Sequence, residues 1–177
     1  MRYLALLRGV MPTGKNRIPK ISDLVIYLSE AGLQRVSTYI QSGNIICETD
    51  LAPQALAALI HQTILEKIGA DLSVIVKTAA DLRLALDENP FAQGYDKSRI
   101  HLVFSNEKAD SAKVAELEKM DFGDEKYITG STCLYMYLPR EAKKKKLNNN
   151  FLEKKLSRVS TMRKLGVIEE LDKRMIN

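Results

Sequence analysis

The amino-acid sequence predicts an α+β fold of two tandem units, each with an antiparallel sheet, closed by a C-terminal helix. Three observations predict it. Two successive stretches show the same strand, helix, strand, strand, helix, strand order. Apolar residues switch between helical spacing and short runs of β-formers. Tyr39-Ile40-Gln41-Ser42-Gly43 rhymes with Tyr127-Ile128-Thr129-Gly130, and each turns into an apolar strand, as an internal duplication would leave it. With 177 residues and 45% hydrophobic content, the chain has enough material for one ordinary domain or two small ones.

The elements follow in order. Residues 3–7 form an apolar strand, followed by Gly9-Val10-Met11-Pro12-Thr13-Gly14-Lys15-Asn16. Ile21, Leu24, Val25 and Leu28 recur at i, i+3, i+4 and i+7, which predicts an amphipathic helix over residues 20–31 that stops at Gly32. Residues 36–40 are β-rich, Ser42-Gly43-Asn44 is a tight turn, and residues 45–47 complete a hairpin. Pro53 opens a helix striped by Leu56, Ile60, Ile64 and Ile68, with Gly69 as its stop. Residues 72–77 are the next strand. This order is the split βαβ arrangement of the ferredoxin-like fold, or alpha-beta plait.

A second copy follows a linking helix over residues 79–88. Its predicted parts are a strand at 101–104, a helix at 109–119, a hairpin of 126–128 and 134–138 about Gly130, and a helix at 142–156. A closing strand at 159–162 and a final helix marked by Leu165, Ile168, Leu171 and Met175 complete it. The expected boundaries are residues 1–78 for the first ferredoxin-like subdomain, 79–98 for the linking helix and loop, and 99–177 for the second subdomain with its basic C-terminal helices.

The loop at Gly9 comes close to a P-loop, but Asn16 replaces the hydroxyl that would hold magnesium, and Arg17-Ile18-Pro19 delays the helix. A P-loop NTPase is therefore not expected. The loop still suits an anion. In a split βαβ unit the first two strands run parallel, so their C-terminal ends share one rim of the sheet. That rim gathers Arg8, Gly9, Gly14, Lys15, Asn16, Arg17, Gln41, Ser42, Gly43 and Asn44. Cations with glycine amides suit phosphate or carboxylate. The alternative is that the glycines only make turns and the polar side chains face water.

Several of these residues resemble a known family. Arg2-Tyr3, Leu6-Leu7-Arg8-Gly9, Gly14-Lys15-Asn16 with Ile18-Pro19, and Thr38-Tyr39-Ile40-Gln41-Ser42-Gly43-Asn44 look like the bacterial family catalogued as domain of unknown function 1697. Asn89-Pro90-Phe91, Leu134-Tyr135 with Leu138-Pro139, and Phe151-Leu152-Glu153-Lys154-Lys155-Leu156 fit it as well, so the likeness extends over nearly the whole chain. The resemblance implies a pair of ferredoxin-like subdomains and no established activity. The chain departs from the family at Val10-Met11-Pro12-Thr13, where Ile-Asn-Val-Gly is usual. It departs again at Ser160-Thr161-Met162-Arg163-Lys164, which lacks an Arg-Asn-Trp-Asn stretch.

Charge is uneven. Residues 139–177 carry +7 and residues 1–138 carry −2. Lys143, Lys144, Lys145 and Lys146, with Lys154 and Lys155, make a basic surface that offers phosphate contacts to nucleic acid. The single aromatic residue after Tyr137 is Phe151, so the stacking residues of single-strand binders are missing there. A solvated basic face is the competing reading.

Other chemistry finds little support. Ser42 lacks a Gly-x-Ser-x-Gly elbow, and neither His61 nor His101 has a motif placing it beside a nucleophile. Asp121-Phe122-Gly123-Asp124 reads as turn chemistry. Cys47 and Cys133 sit far apart in apolar runs, which suggests buried thiols in a reducing compartment, with no structural metal and no cofactor. Arg8 interrupts the N-terminal apolar run before it reaches signal-peptide length, and no run approaches a membrane span. The expectation is a cytoplasmic protein, bacterial as the resemblance implies, with no membrane partner: a non-catalytic module for a small anionic ligand, with a nucleic-acid-associated protein or an enzyme on a phosphorylated metabolite as alternatives.

Overall fold

The computed structural model describes residues 1–40 and 43–176. The chain divides into two compact units, Met1–Ala79 with Met175 and Ile176, and Ala80–Arg174.

The first unit runs β1 (Arg2–Arg8), α1 (Ile21–Glu30), β2 (Gln34–Tyr39), β3 (Asn44–Glu48), α2 (Pro53–Ile68) and β4 (Ser73–Lys77). Its sheet order is β2-β3-β1-β4, with every neighbouring pair antiparallel. This is the ferredoxin-like order. Period-2 alternation sends Tyr3, Ala5 and Leu7 of β1 to the helix-covered face, where they meet Leu24 and Leu28 of α1 and Leu56, Ile60 and Ile64 of α2. Each such leucine or isoleucine side chain contributes about 1.5–3 kcal/mol by leaving water. Helix α2 starts at Pro53 and is capped by Gly69, whose amide reaches Ile64 O at 3.2 Å and Leu65 O at 3.0 Å.

The second unit repeats the order with α3 (Ala79–Asp87) ahead of it: β5 (Ile100–Phe104), α4 (Ser111–Glu118), β6 (Lys126–Thr129), β7 (Leu134–Tyr137), α5 (Asn149–Leu156), β8 (Thr161–Lys164), then α6 (Leu165–Ile176). The sheet order is β6-β7-β5-β8, again antiparallel. Val103, Leu134 and Met136 pack with Leu117 of α4 and Leu152 and Leu156 of α5. Helix α3 joins this unit through a buried bond, Tyr135 Oη donating to Ala85 O at 2.7 Å, and through Arg83 paired with Asp172 of α6 at 3.3 Å.

Two elements differ from the sequence reading. The helix expected over 142–156 is confined to Asn149–Leu156. Three amides ahead of it are given elsewhere: Lys146 N and Leu147 N donate to the buried Glu125 carboxylate at 3.0 and 2.7 Å, and Lys143 N donates to Asp124 at 3.4 Å. Asn148 then caps α5 by accepting from Phe151 N at 2.8 Å. The closing strand lies at Thr161–Lys164 rather than 159–162. Ser160 is tied back to α5, its amide donating to Glu153 at 2.9 Å and its hydroxyl to Asn149 at 3.0 Å, so pairing with β5 begins one residue later. The buried Arg163 in that strand hides its β character from a hydropathy reading.

Gly43 controls the β2–β3 corner. Its φ of +77° is left-handed, and a Cβ there would lie 2.7 Å from Leu7 Cβ. Gly43→Ala is expected to lower unfolding free energy by about 2 kcal/mol or more, measured by urea denaturation. Gly32→Ala meets nothing within 4 Å despite its φ of +96°, so it should cost about 1 kcal/mol. Equal losses at the two sites would show that the Leu7 contact is not what demands glycine.

Candidate functional site

Topology assembles the rim. β1 and β2 both flank β3, so their C-terminal ends lie at one edge of the sheet, about 10 Å apart at two strand spacings. Arg8 pairs with Ser73, which brings the residues leading into β4 to the same edge.

The glycine loop at this edge is locally braced. Met11 N donates to Asn16 O at 2.9 Å, and Arg17 N donates to Gly14 O at 3.3 Å. Gly9 and Gly14 take φ of +99° and +81°, which lets the chain turn twice within a few residues. Asn16 Oδ1 accepts from Asp71 N at 3.0 Å and so pins the loop to the β4 approach. Helix α1 begins only at Ile21, after residues 16–20, so no helix N-terminus meets Gly14-Lys15 as it does in a P-loop.

Charge on this loop is one-sided. The first 22 residues contain Arg2, Arg8, Lys15, Arg17 and Lys20 and no Asp or Glu. Lys15 and Arg17 are exposed, and among the described residues no carboxylate lies within ion-pairing distance of either. The amides of the exposed residues Thr13, Gly14 and Lys15 likewise donate to no protein acceptor among the described residues. Consecutive unspent amides beside a lysine and an arginine form a donor set for an oxyanion.

The rim residues named from sequence fall into three groups. Gly14 and Lys15 face solvent, with Arg17 beside them; Arg8, Gly9 and Asn16 are half-buried. Gly43 and Asn44 are interior: Gly43 O accepts from Leu7 N at 2.8 Å, and Asn44, fully buried, donates Nδ2 to Tyr39 O at 2.9 Å. Asn16 and Asn44 therefore spend side-chain groups on holding the backbone. Gln41 and Ser42 lie outside the described residues.

Sequence reasoning missed a pair at the same edge. His61 Nδ1 lies 2.8 Å from Leu72 O, and since a carbonyl only accepts, that nitrogen carries the hydrogen. Nε2 then faces Asp71 at 3.8 Å. Only the fold brings His61 near residues ten positions away, so no local spacing announces it.

The second unit lacks such a loop. The connection from β5 to α4 spans residues 105–110, contains no glycine, and ends in Asp110, which caps α4 by accepting from Ala112 N and Lys113 N. The lysine run lies along an acidic strip. Lys144 pairs with Asp121 at 3.4 Å, while Asp124 and Glu125 hold the backbone of residues 143–147. Lys146 and Lys155 approach the Phe122 and Phe151 rings at 6.0 and 5.9 Å. Lys143, Lys145 and Lys154 are exposed.

Both cysteines are buried, and burial, with the Glu48 charge, raises the Cys47 thiol to about 11. Among the described residues no three His, Cys, Asp or Glu side chains are grouped to hold a metal ion, and no helix is long and apolar enough to cross a membrane.

A family model described as "Protein of unknown function (DUF1697)" matches residues 1–135. The C-terminal motifs from Leu138 onward lie beyond that match. Among solved structures, the chain is similar to one titled "The structure of conserved bacterial protein SP0830 from Streptococcus pneumoniae", with a TM-score of 0.74 and 21% identity over 99% of this chain and 98% of that one. At that identity the likeness shows the fold. No curated protein matches the chain.

Asn16→Ala is expected to cost about 0.5–1 kcal/mol, since the Asp71 amide it releases is reachable by water. The sharper readout is hydrogen exchange, which should accelerate at the Asp71 amide and leave the amides of β3 unchanged. An unchanged Asp71 amide would show that Asn16 does not brace the loop.

Proposed function

This chain belongs to the family of proteins of unknown function DUF1697, and from the chemistry of its glycine loop we propose that the first unit is a non-catalytic binding module for an anion bearing phosphate or carboxylate. The observation that carries this reading is the run of amides in the exposed residues Thr13, Gly14 and Lys15 that meet no acceptor among the described residues, beside two cations with no carboxylate partner among them. Lys15 and Arg17 supply charge, the amides supply directed donors, and Gly9 and Gly14 let the backbone approach the ligand.

The bracing supports the same reading. A loop held by Asn16 to the β4 approach keeps its donors in place before a ligand arrives, which lowers the ordering cost of binding. The nucleic-acid alternative draws on Lys143, Lys144, Lys145, Lys146, Lys154 and Lys155. Asp121, Asp124 and Glu125 offset part of that charge within the protein, so the rim is favoured.

Isothermal titration with inorganic phosphate and pyrophosphate at low salt tests the proposal. Lys15→Ala should weaken binding about tenfold, the loss of one charge-assisted contact of about 1.5 kcal/mol. A variant with Lys143 to Lys146 changed to Gln should stay within about twofold of the parent, because its lysines are no part of the glycine loop. The opposite pattern, or anisotropy binding to short RNA that the four-lysine variant abolishes, would move the function to the C-terminal surface.

A further inference from the structure

Two exposed aliphatic side chains stand on the rim with the cations. Met11 is 55% exposed within the glycine loop, and Ile40, just past the end of β2, is 48% exposed. Ile40 also holds a left-handed φ of +50°, a conformation that β-branched residues avoid. Isoleucine at this position is unfavourable twice over for the isolated chain: its backbone is strained and its side chain is wet. Neither residue belongs to the apolar cluster under the sheet.

Apolar loop tips next to Lys15 and Arg17 match the layered chemistry of an anionic bilayer surface, with phosphates outermost and hydrocarbon just beneath them. A nucleotide or a nucleic-acid base asks instead for a stacking ring. The aromatic residue among the described rim positions is Tyr39, which is half-buried.

We infer that the first unit docks on anionic phospholipid surfaces, placing Met11 and Ile40 at the boundary between headgroup and acyl chain and Lys15 and Arg17 on the lipid phosphates. The inference rests on the anion reading and narrows its ligand to lipid phosphate. Loop-tip docking requires neither a membrane span nor a signal-peptide run, so it departs from the sequence expectation of no membrane partner, which rested on the lack of those two. Two apolar tips and two cations give weak, reversible attachment, sensitive to salt.

The test sediments the full chain with phosphatidylcholine vesicles, with and without phosphatidylglycerol, at low and moderate salt, alongside titration with inorganic phosphate. The chain should sediment only with phosphatidylglycerol vesicles, and less so as salt rises. Met11→Ser with Ile40→Asn should weaken that binding about tenfold or more, and Lys15→Ala or Arg17→Ala about fivefold each. Both apolar substitutions fall on exposed residues, and asparagine tolerates the left-handed backbone, so circular dichroism should show an intact fold. Phosphate binding without vesicle binding overturns the lipid inference and leaves the anion reading standing; absence of both overturns both. Vesicle binding that survives Met11→Ser with Ile40→Asn is adsorption by charge and overturns the inference. So does binding to short RNA in place of vesicles.

Discussion

Leu7 gives its amide hydrogen to Gly43 O at 2.8 Å, and the Gly43 backbone lies so close to the Leu7 side chain that no Cβ fits between them. This close approach seats the corner between β2 and β3 on the end of β1. The rim depends on it. Once the corner is seated, Leu6 pairs with Asn44, the buried Asn44 amide closes on Tyr39 O, and Arg8 emerges at the edge where β4 begins. A side chain at position 43 would push the corner away and loosen the edge that carries the glycine loop.

The second unit meets the same demand with different chemistry. At Gly130 a Cβ would lie 2.5 Å from the Tyr135 ring, and Tyr135 is fixed from behind by its bond to Ala85 O. Both units thus use a glycine where a hairpin corner closes over its own sheet. They diverge at the following rim. The first keeps a long cationic glycine loop, and the second has a short connection devoted to capping α4 with Asp110. Equal topology therefore carries unequal surfaces, and the candidate site belongs to one unit alone.

Much of the fold was legible because burial imposes periods on sequence. Ile21, Leu24 and Leu28, the stripe from Leu56 to Ile64, and the apolar β1 run all announce their elements, and the shared order announces the plait. Three features were not legible, each because a distant group overrides local preference. The stretch 143–147 reads as helix until the carboxylates of Asp124 and Glu125 take its amides. Residues 159 and 160 read as strand until α5 claims Ser160. The expected closing strand stops at residue 162, yet Arg163 is buried in β8. At the site, the cations and glycines were visible as letters. The structural duties of Asn16 and Asn44, and the approach of His61 to Asp71, follow from contacts across the sheet edge that no spacing encodes.

In the proposed function an oxyanion is held by the amides of the glycine loop. Amide nitrogen and proton shifts recorded during titration with inorganic phosphate test it most directly, because they report each donor separately. The largest changes are predicted at Thr13, Gly14 and Lys15, with smaller ones at Gly9 and Asp71 and none along residues 143–155. Shifts concentrated at the lysine run, or a glycine loop that stays silent while phosphate binds elsewhere, would place the anion away from the loop amides.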